Sequence, residues 1–295
     1  MNMILLPSEI RRLYPFHHHF LELDGPRMHY VDEGSGPPIV FLHGNPTWSF
    51  YFRDLIVGLR DQYRVIAPDH IGCGLSDKPR NYPYTLSTHI TNVEKLLNHL
   101  GLENVTLAVH DWGGAIGFGW AVRHPQKVSR LVIFNTAAFL GGKTPFRIRI
   151  CRWPILGEIA LLGFNAFPRA AITMACHPSN RMTPDVRAGY LHPYRKITDR
   201  VAILGFVRDI PLHSRIPSHA VLKEIESNLL QFRDRPMTIF WGERDFCFTT
   251  KFLDEWTARF PTAEVHRFPD AAHYVVEDAH DRILPLLQNS LARYT

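Results

Sequence analysis

Short apolar runs alternate along the chain with stretches whose apolar residues recur every three or four positions, the pattern of a mainly parallel sheet joined by crossover helices on both faces. The runs are Ile39–Leu42, Val65–Ala67, Val105–Val109, Leu131–Phe134 and Met237–Trp241. Between them Leu86, Ile90, Val93, Leu96, Leu97 and Leu100 repeat with helical spacing, as do Phe252, Leu253 and Trp256. Each run ends in a loop rich in Gly, Pro, Asp or His, and ligands of open α/β sheets bind beyond the carboxyl ends of the strands. The alternation stops after Asn135-Thr136 and resumes near Ser218. The stretch between, roughly 137–215, carries seven prolines and helix-like patches but no strand pattern. It reads as a helical cap inserted over the strand ends, splitting a core made of 1–136 and 216–295.

A chain of 295 residues with 45% hydrophobic and 21% charged residues can bury a substantial core, which excludes disorder and coiled coil. The longest apolar stretch, Pro154–Phe167, is too short and interrupted to cross a bilayer of about 30 Å. The N-terminal residues lack the features of a signal peptide, so a cytoplasmic location is expected. Cys73, Cys151, Cys176 and Cys247 are scattered without a C-x-x-C pair and read as reduced thiols. The histidines of Pro15–Phe20 sit in an expected strand and so point to alternate faces, which argues against a metal site. No cofactor motif is present, and no cofactor is expected.

The net charge of +5 is uneven. Residues 141–215 hold 12 Lys+Arg against 4 Asp+Glu, a balance of +8, and the remainder holds 21 against 24, or −3. Arginines interleaved with Trp153, Phe164, Phe167 and Tyr194 indicate a folded subdomain with a solvated basic face rather than a nucleic-acid tail. Its natural partners are an acidic protein or a membrane surface.

The segment Val109-His-Asp-Trp-Gly-Gly114 follows a β-branched run and precedes the helical pattern Ala115–Val122. This is the strand, sharp turn and helix of a nucleophile elbow, with Asp111 where the usual motif has Ser. A carboxylate that attacks an alkyl carbon becomes the acyl half of an ester, which water then cleaves. An Asp that merely caps the helix is the plain alternative. Asp245 and His273 follow in the order nucleophile, acid, base, with His273 as the expected general base and Asp245 fixing its tautomer. Glu243 and Asp270 compete with Asp245. Glu243 lies nearer the strand, and Asp270 is expected to hold its own turn through an Asx bond. Upstream, the backbone N–H groups of Asn45 and Trp112 can converge on a developing anion, and their side chains offer an amide and an indole N–H to a leaving group. Singly, each also reads as a turn or core residue.

His43-Gly-Asn-Pro-Thr-Trp-Ser49, Asp69-His-Ile-Gly-Cys-Gly-Leu-Ser-Asp-Lys-Pro79 and His110-Asp-Trp-Gly-Gly114 resemble the haloalkane dehalogenase family, of α/β-hydrolase fold, and the similarity spans essentially the whole chain. The resemblance implies that Asp111 displaces the leaving group, that Asn45 and Trp112 hold it, and that Asp245 is the acid. In some branches a Glu follows the strand that here ends in Asn135, which cannot serve. The olefin-pathway β-lactone decarboxylases, which convert long-chain cis-β-lactones to cis-alkenes and carbon dioxide, are matched better still. That match includes Tyr14-Pro-Phe16, Met28–Gly34, Asn135–Phe139, Gly163–Phe167, Phe206–Leu212 and Asp245–Phe248. Ala272 departs from the Gly usual there. The branch also implies olefin-pathway enzymes as partners. Haloalkane hydrolysis is the alternative activity; an epoxide hydrolase would need hydroxyls, for which Tyr190 and Tyr194 are candidates, and a non-catalytic binding protein is the reading from another class. Ile155, Leu156, Ile159, Leu161, Leu162, Phe164 and Phe167 are expected either to line a tunnel for alkyl chains or to pack a cap helix.

Overall fold

The computed structural model describes residues 6–141, 145–153, 155–180 and 182–293. Cap positions 142–144, 154 and 181 and the side chains of Arg147 and Leu156 lie outside the described residues. Eight strands form one sheet: β1 (His19–Glu22), β2 (Arg27–Glu33), β3 (Pro38–Leu42), β4 (Arg64–Pro68), β5 (Val105–Asp111), β6 (Val128–Thr136), β7 (Met237–Gly242) and β8 (Glu264–Phe268). Their spatial order is β1-β2-β4-β3-β5-β6-β7-β8. The pairs β1/β2 and β2/β4 are antiparallel and every other pair is parallel.

Central strands buried on both faces need apolar residues at consecutive positions, which is why their runs are continuous. Along β3, Val40 and Leu42 join the cluster that contains Leu107, Val109 and the helix Leu86–His99, while Ile39 and Phe41 join the opposite cluster with Leu55, Ile56 and Ile283. The helix Leu86–His99 starts where Thr85 accepts the Thr88 N–H, and the predicted later helix spans Thr250–Arg259.

The histidine cluster does not form a strand segment as expected, because β1 begins only at His19. His17 bonds to Glu33 at 3.0 Å, His18 to His29 at 2.9 Å, and His19 stacks on Tyr30.

Between Thr136 and Met237 the described residues hold helices, among them Ala166–Met174, Pro184–Leu191, Val201–Asp209 and Pro217–Asn228, and no strand. The helix Pro184–Leu191 is fastened to the loop after β3. Trp48 Nε1–H donates to the Gly189 carbonyl at 3.2 Å, and the Tyr190 hydroxyl donates to Glu277 at 2.9 Å. Glu277 takes both terminal nitrogens of the buried Arg53, at 2.8 and 2.9 Å. Of the cap residues expected to line a tunnel, Leu161 and Phe167 face a cavity and Leu162 packs within the cap. Ile155, Ile159 and Phe164 instead point to solvent.

Candidate active site

β5 ends at Asp111, whose φ of 51° and ψ of −125° turn the chain sharply into the helix Trp112–Ala121. A non-glycine residue held at positive φ costs about 1–3 kcal/mol, so the surroundings must enforce it. The following glycines show how tight the turn is: a β-carbon on Gly113 would sit 2.0 Å from the Leu42 carbonyl oxygen, and one on Gly114 2.0 Å from Thr136 Oγ1. Thr136 itself donates to the Asp111 carbonyl.

The Asp111 side chain does not cap its helix. Its Oδ1 accepts the Asn45 N–H at 2.7 Å, and Oδ2 faces His273 Nε2 at 3.6 Å. On the far side of the ring, His273 Nδ1 bonds to Asp245 Oδ2 at 2.8 Å. Asp245 is held in turn by the N–H groups of Cys247 (2.6 Å) and Phe248 (3.0 Å) on Oδ1, and by Asn135 Nδ2 (3.0 Å) on Oδ2. The structure therefore brings Asp111, His273 and Asp245 into one line, with a hydrogen bond from His273 to Asp245 on one side of the ring and a 3.6 Å ionic contact to Asp111 on the other. The competitors lie elsewhere: Glu243 pairs with Arg267, and Asp270 pairs with Arg282 where an Asx turn was expected.

Burial pushes the Asp111 carboxyl up, against the opposing pull of His273 and the N–H groups of Trp112 and Asn45. Burial also disfavours the His273 imidazolium, but the charge and hydrogen bond of Asp245, with the charge of Asp111, outweigh it and hold this imidazole above its ordinary value. One carboxylate thus stabilises the cation that the other faces.

Two supporting residues were not anticipated. Asn135, discounted as an acid, ties β6 to β7: its amide donates to the Gly242 carbonyl (2.9 Å) and to Asp245, and its oxygen accepts the Gly242 N–H (2.7 Å). His110, buried and held neutral chiefly by desolvation, uses Nε2–H to donate to the His273 carbonyl at 2.8 Å. Adjacency to Asp111 was the one signal for His110; for Asn135 the signal was its place at a strand end.

These groups open into a cavity of about 1090 Å³, whose lining includes Asn45, Asp111, Trp112 and His273 together with apolar residues such as Phe167 and Phe248. Among the described residues, Asn45 Nδ2 is held only by a 3.4 Å contact to the Ile203 carbonyl and its Oδ1 has no partner, while the Trp112 indole packs edge-on against Phe206. Tyr190 and Tyr194 do not line the cavity; among the described residues the tyrosine on its wall is Tyr274. Asp245, Cys247 and His273 place ligand-type atoms within 4.8 Å of one another. Asp245 and His273 already satisfy each other, and burial pushes the Cys247 thiol up, away from the thiolate that metal binding needs.

A mainly parallel sheet, a left-handed aspartate at the elbow and a histidine–carboxylate pair facing it define an α/β hydrolase with a carboxylate at the nucleophile position. Residues 37–155 match the family model described as the alpha/beta hydrolase fold. The chain belongs to the haloalkane dehalogenase family of these hydrolases. It is 44% identical over 278 residues to the cis-3-alkyl-4-alkyloxetan-2-one decarboxylase of Shewanella oneidensis, covering 92% of this chain and 87% of that one. It is 34% identical over 278 residues to haloalkane dehalogenase 2 of Mycobacterium tuberculosis, covering 92% and 94%. The solved structure of the haloalkane dehalogenase DatA from Agrobacterium tumefaciens C58 superposes with a TM-score of 0.86 at 29% identity, over 95% and 97% of the two chains.

Proposed function

We propose that this chain is a β-lactone decarboxylase that converts long-chain cis-β-lactones to cis-alkenes and carbon dioxide in olefin biosynthesis, with Asp111 as nucleophile and with His273, oriented by Asp245, beside it, positioned to serve as base wherever water must be activated. The observation that carries the reading is the Asp111 carboxylate at a large apolar cavity, one oxygen held by a backbone N–H and the other turned to His273. The greater identity to oxetanone decarboxylases favours the lactone over the haloalkane.

Attack of Asp111 on the ring alkyl carbon breaks that carbon's bond to the ring oxygen. The released carboxylate stays on the neighbouring carbon, within reach of Asn45 and Trp112. Loss of carbon dioxide from that carbon, with departure of the Asp111 oxygen from its neighbour, gives the alkene and restores Asp111 without consuming water. Inversion at the attacked carbon places the two departing groups opposite each other, and a cis-lactone then yields a cis-alkene. Attack at the carbonyl is the other possible entry. In the alternative activity, haloalkane hydrolysis, the same attack expels halide and His273 activates the water that cleaves the ester.

In this reading 1–136 and 216–295 form the catalytic core and 137–215 the cap that selects the substrate. The enzyme works in the cytoplasm, and its basic cap meets an olefin-pathway enzyme or a membrane surface. Among the described residues no helix is long and apolar enough to cross a membrane. Incubation of the pure enzyme with a long-chain cis-β-lactone and, separately, a bromoalkane tests the assignment. Alkene and carbon dioxide from the first are expected; bromide release alone would transfer the assignment to the alternative.

A further inference from the structure

The described residues between Pro145 and Phe164 present two unlike faces. Ile148, Cys151, Ala160 and Leu161 line the cavity. Phe146, Trp153, Ile155, Ile159 and Phe164 are open to solvent, from 49% exposed at Trp153 to 72% at Phe164. Scattered apolar side chains are ordinary on a protein surface. Three of these are not scattered. The Ile159 N–H bonds to the Ile155 carbonyl at 2.8 Å, and the Phe164 N–H bonds to the Ile159 carbonyl at 3.3 Å. Each bond closes one turn, so the three residues stand one turn apart, Ile155 entering from a left-handed φ of 66°, and the three exposed side chains form a short stripe. The second is a π turn, Ile159–Gly163, whose additional residue brings Phe164 rather than Gly163 into line.

Charge follows the same face. Glu158, the single acidic residue between 145 and 164, is neutralised by Arg208. Arg169, on the helix Ala166–Met174 that follows, is exposed and, among the described residues, has no carboxylate within 4.0 Å, whereas Arg149 stands at the cavity wall. We propose that this outer face docks on an anionic lipid surface, with Ile155, Ile159 and Phe164 entering the acyl boundary and Arg169 meeting headgroup phosphates. A stable protein interface needs roughly 20–30 residues a side. This stripe is narrow and basic-flanked, the form of a helix that lies in a membrane interface. Because the same segment walls the cavity, it would receive a lipid-dissolved substrate where it touches the lipid. The inference deepens the proposed function and rests on it only for the substrate's affinity for lipid.

Flotation of the full chain with phosphatidylcholine vesicles, with and without about a third phosphatidylglycerol, at about 0.1 M and about 1 M salt, provides the test. The wild type is expected to float with the anionic vesicles at low salt. The triple variant Ile155→Ser, Ile159→Ser, Phe164→Ser should bind about tenfold more weakly, and Arg169→Glu should lose binding to the anionic vesicles alone. Since the altered side chains are exposed, circular dichroism and sedimentation of the variants should match the wild type. Equal flotation of wild type and triple variant, or none by the wild type, overturns the proposal. So does a wild-type dimer that the triple variant dissolves, which would assign the stripe to a second copy of the chain. Turnover of a short, water-soluble β-lactone without vesicles is read in parallel, and its failure in the wild type would remove the proposed reaction while leaving the flotation result standing.

Discussion

Asp111 presents two unequal oxygens: Oδ1 is held by the Asn45 N–H and Oδ2 faces His273, which makes Oδ2 the attacking atom in the proposed mechanism. Asp111→Ala is expected to abolish turnover with folding intact, and a variant retaining a tenth of wild-type activity would end the covalent mechanism. Loss of one donor to a developing anion typically slows chemistry by about 10² to 10³, which is the slowing expected in single-turnover rates for Asn45→Ala or Trp112→Phe. With a bromoalkane, His273→Ala should release one bromide per active site and stall, its intact mass raised by the alkyl group. In water carrying heavy oxygen, bromoalkane hydrolysis should label the Asp111 carboxyl, whereas a lactone opened at its alkyl carbon should leave it unlabelled. Because its carboxylate neighbours keep His273 protonated to higher pH, the acid limb of bromoalkane hydrolysis should lie above the ordinary imidazole range. The meeting of Asp111, Asp245 and His273 was legible because their order and strand-end positions bring them to one place. Asn135 was not, since its role exists only once β6 and β7 lie side by side.

At the scale of elements, the five strands legible as apolar runs include the central strands buried on both faces. β2 and β8 escaped the pattern because charged residues interrupt them, and those charges are paired: Asp32 with Arg64, and Glu264 with Arg293. The loop after β4 depends on one buried carboxylate. Asp69 accepts the N–H groups of Ser49 and Leu75, each at 2.8 Å, and bonds to His29 on β2 at 2.8 Å. Burial raises its pKa, but His29 and the backbone donors outweigh that and bring it to about 2. A carboxyl depressed by folding stabilises the protein above its unfolded pKa, and the contribution disappears as pH falls from about 4 to about 2. Denaturant titrations across that range should show a loss on the order of 2 kcal/mol, absent in Asp69→Asn, whose stability should already be lower at neutral pH.

At the scale of the whole molecule, the cap was recognisable as the place where the alternating pattern lapses, but its inner and outer faces were not. Ile155, Ile159 and Phe164 have the composition of a tunnel wall but stand outward, Phe164 after a π turn that periodicity does not reveal. The clamp of Tyr190, Glu277 and Arg53 has a consequence for how the protein melts. Opening this edge of the cap would strip the Tyr190 hydroxyl from a buried charged pair, leaving a charged acceptor short of one donor. Cap and core should therefore unfold as one cooperative unit, with circular dichroism and tryptophan fluorescence giving coincident thermal transitions. Tyr190→Phe removes one hydrogen bond to a charged group, about 1.5–3 kcal/mol, and should lower the midpoint without dividing the transition. A cover seamed to its base along this edge yields along another, so amide exchange should be slow from 184 to 191 and faster where the chain turns from 145 to 164.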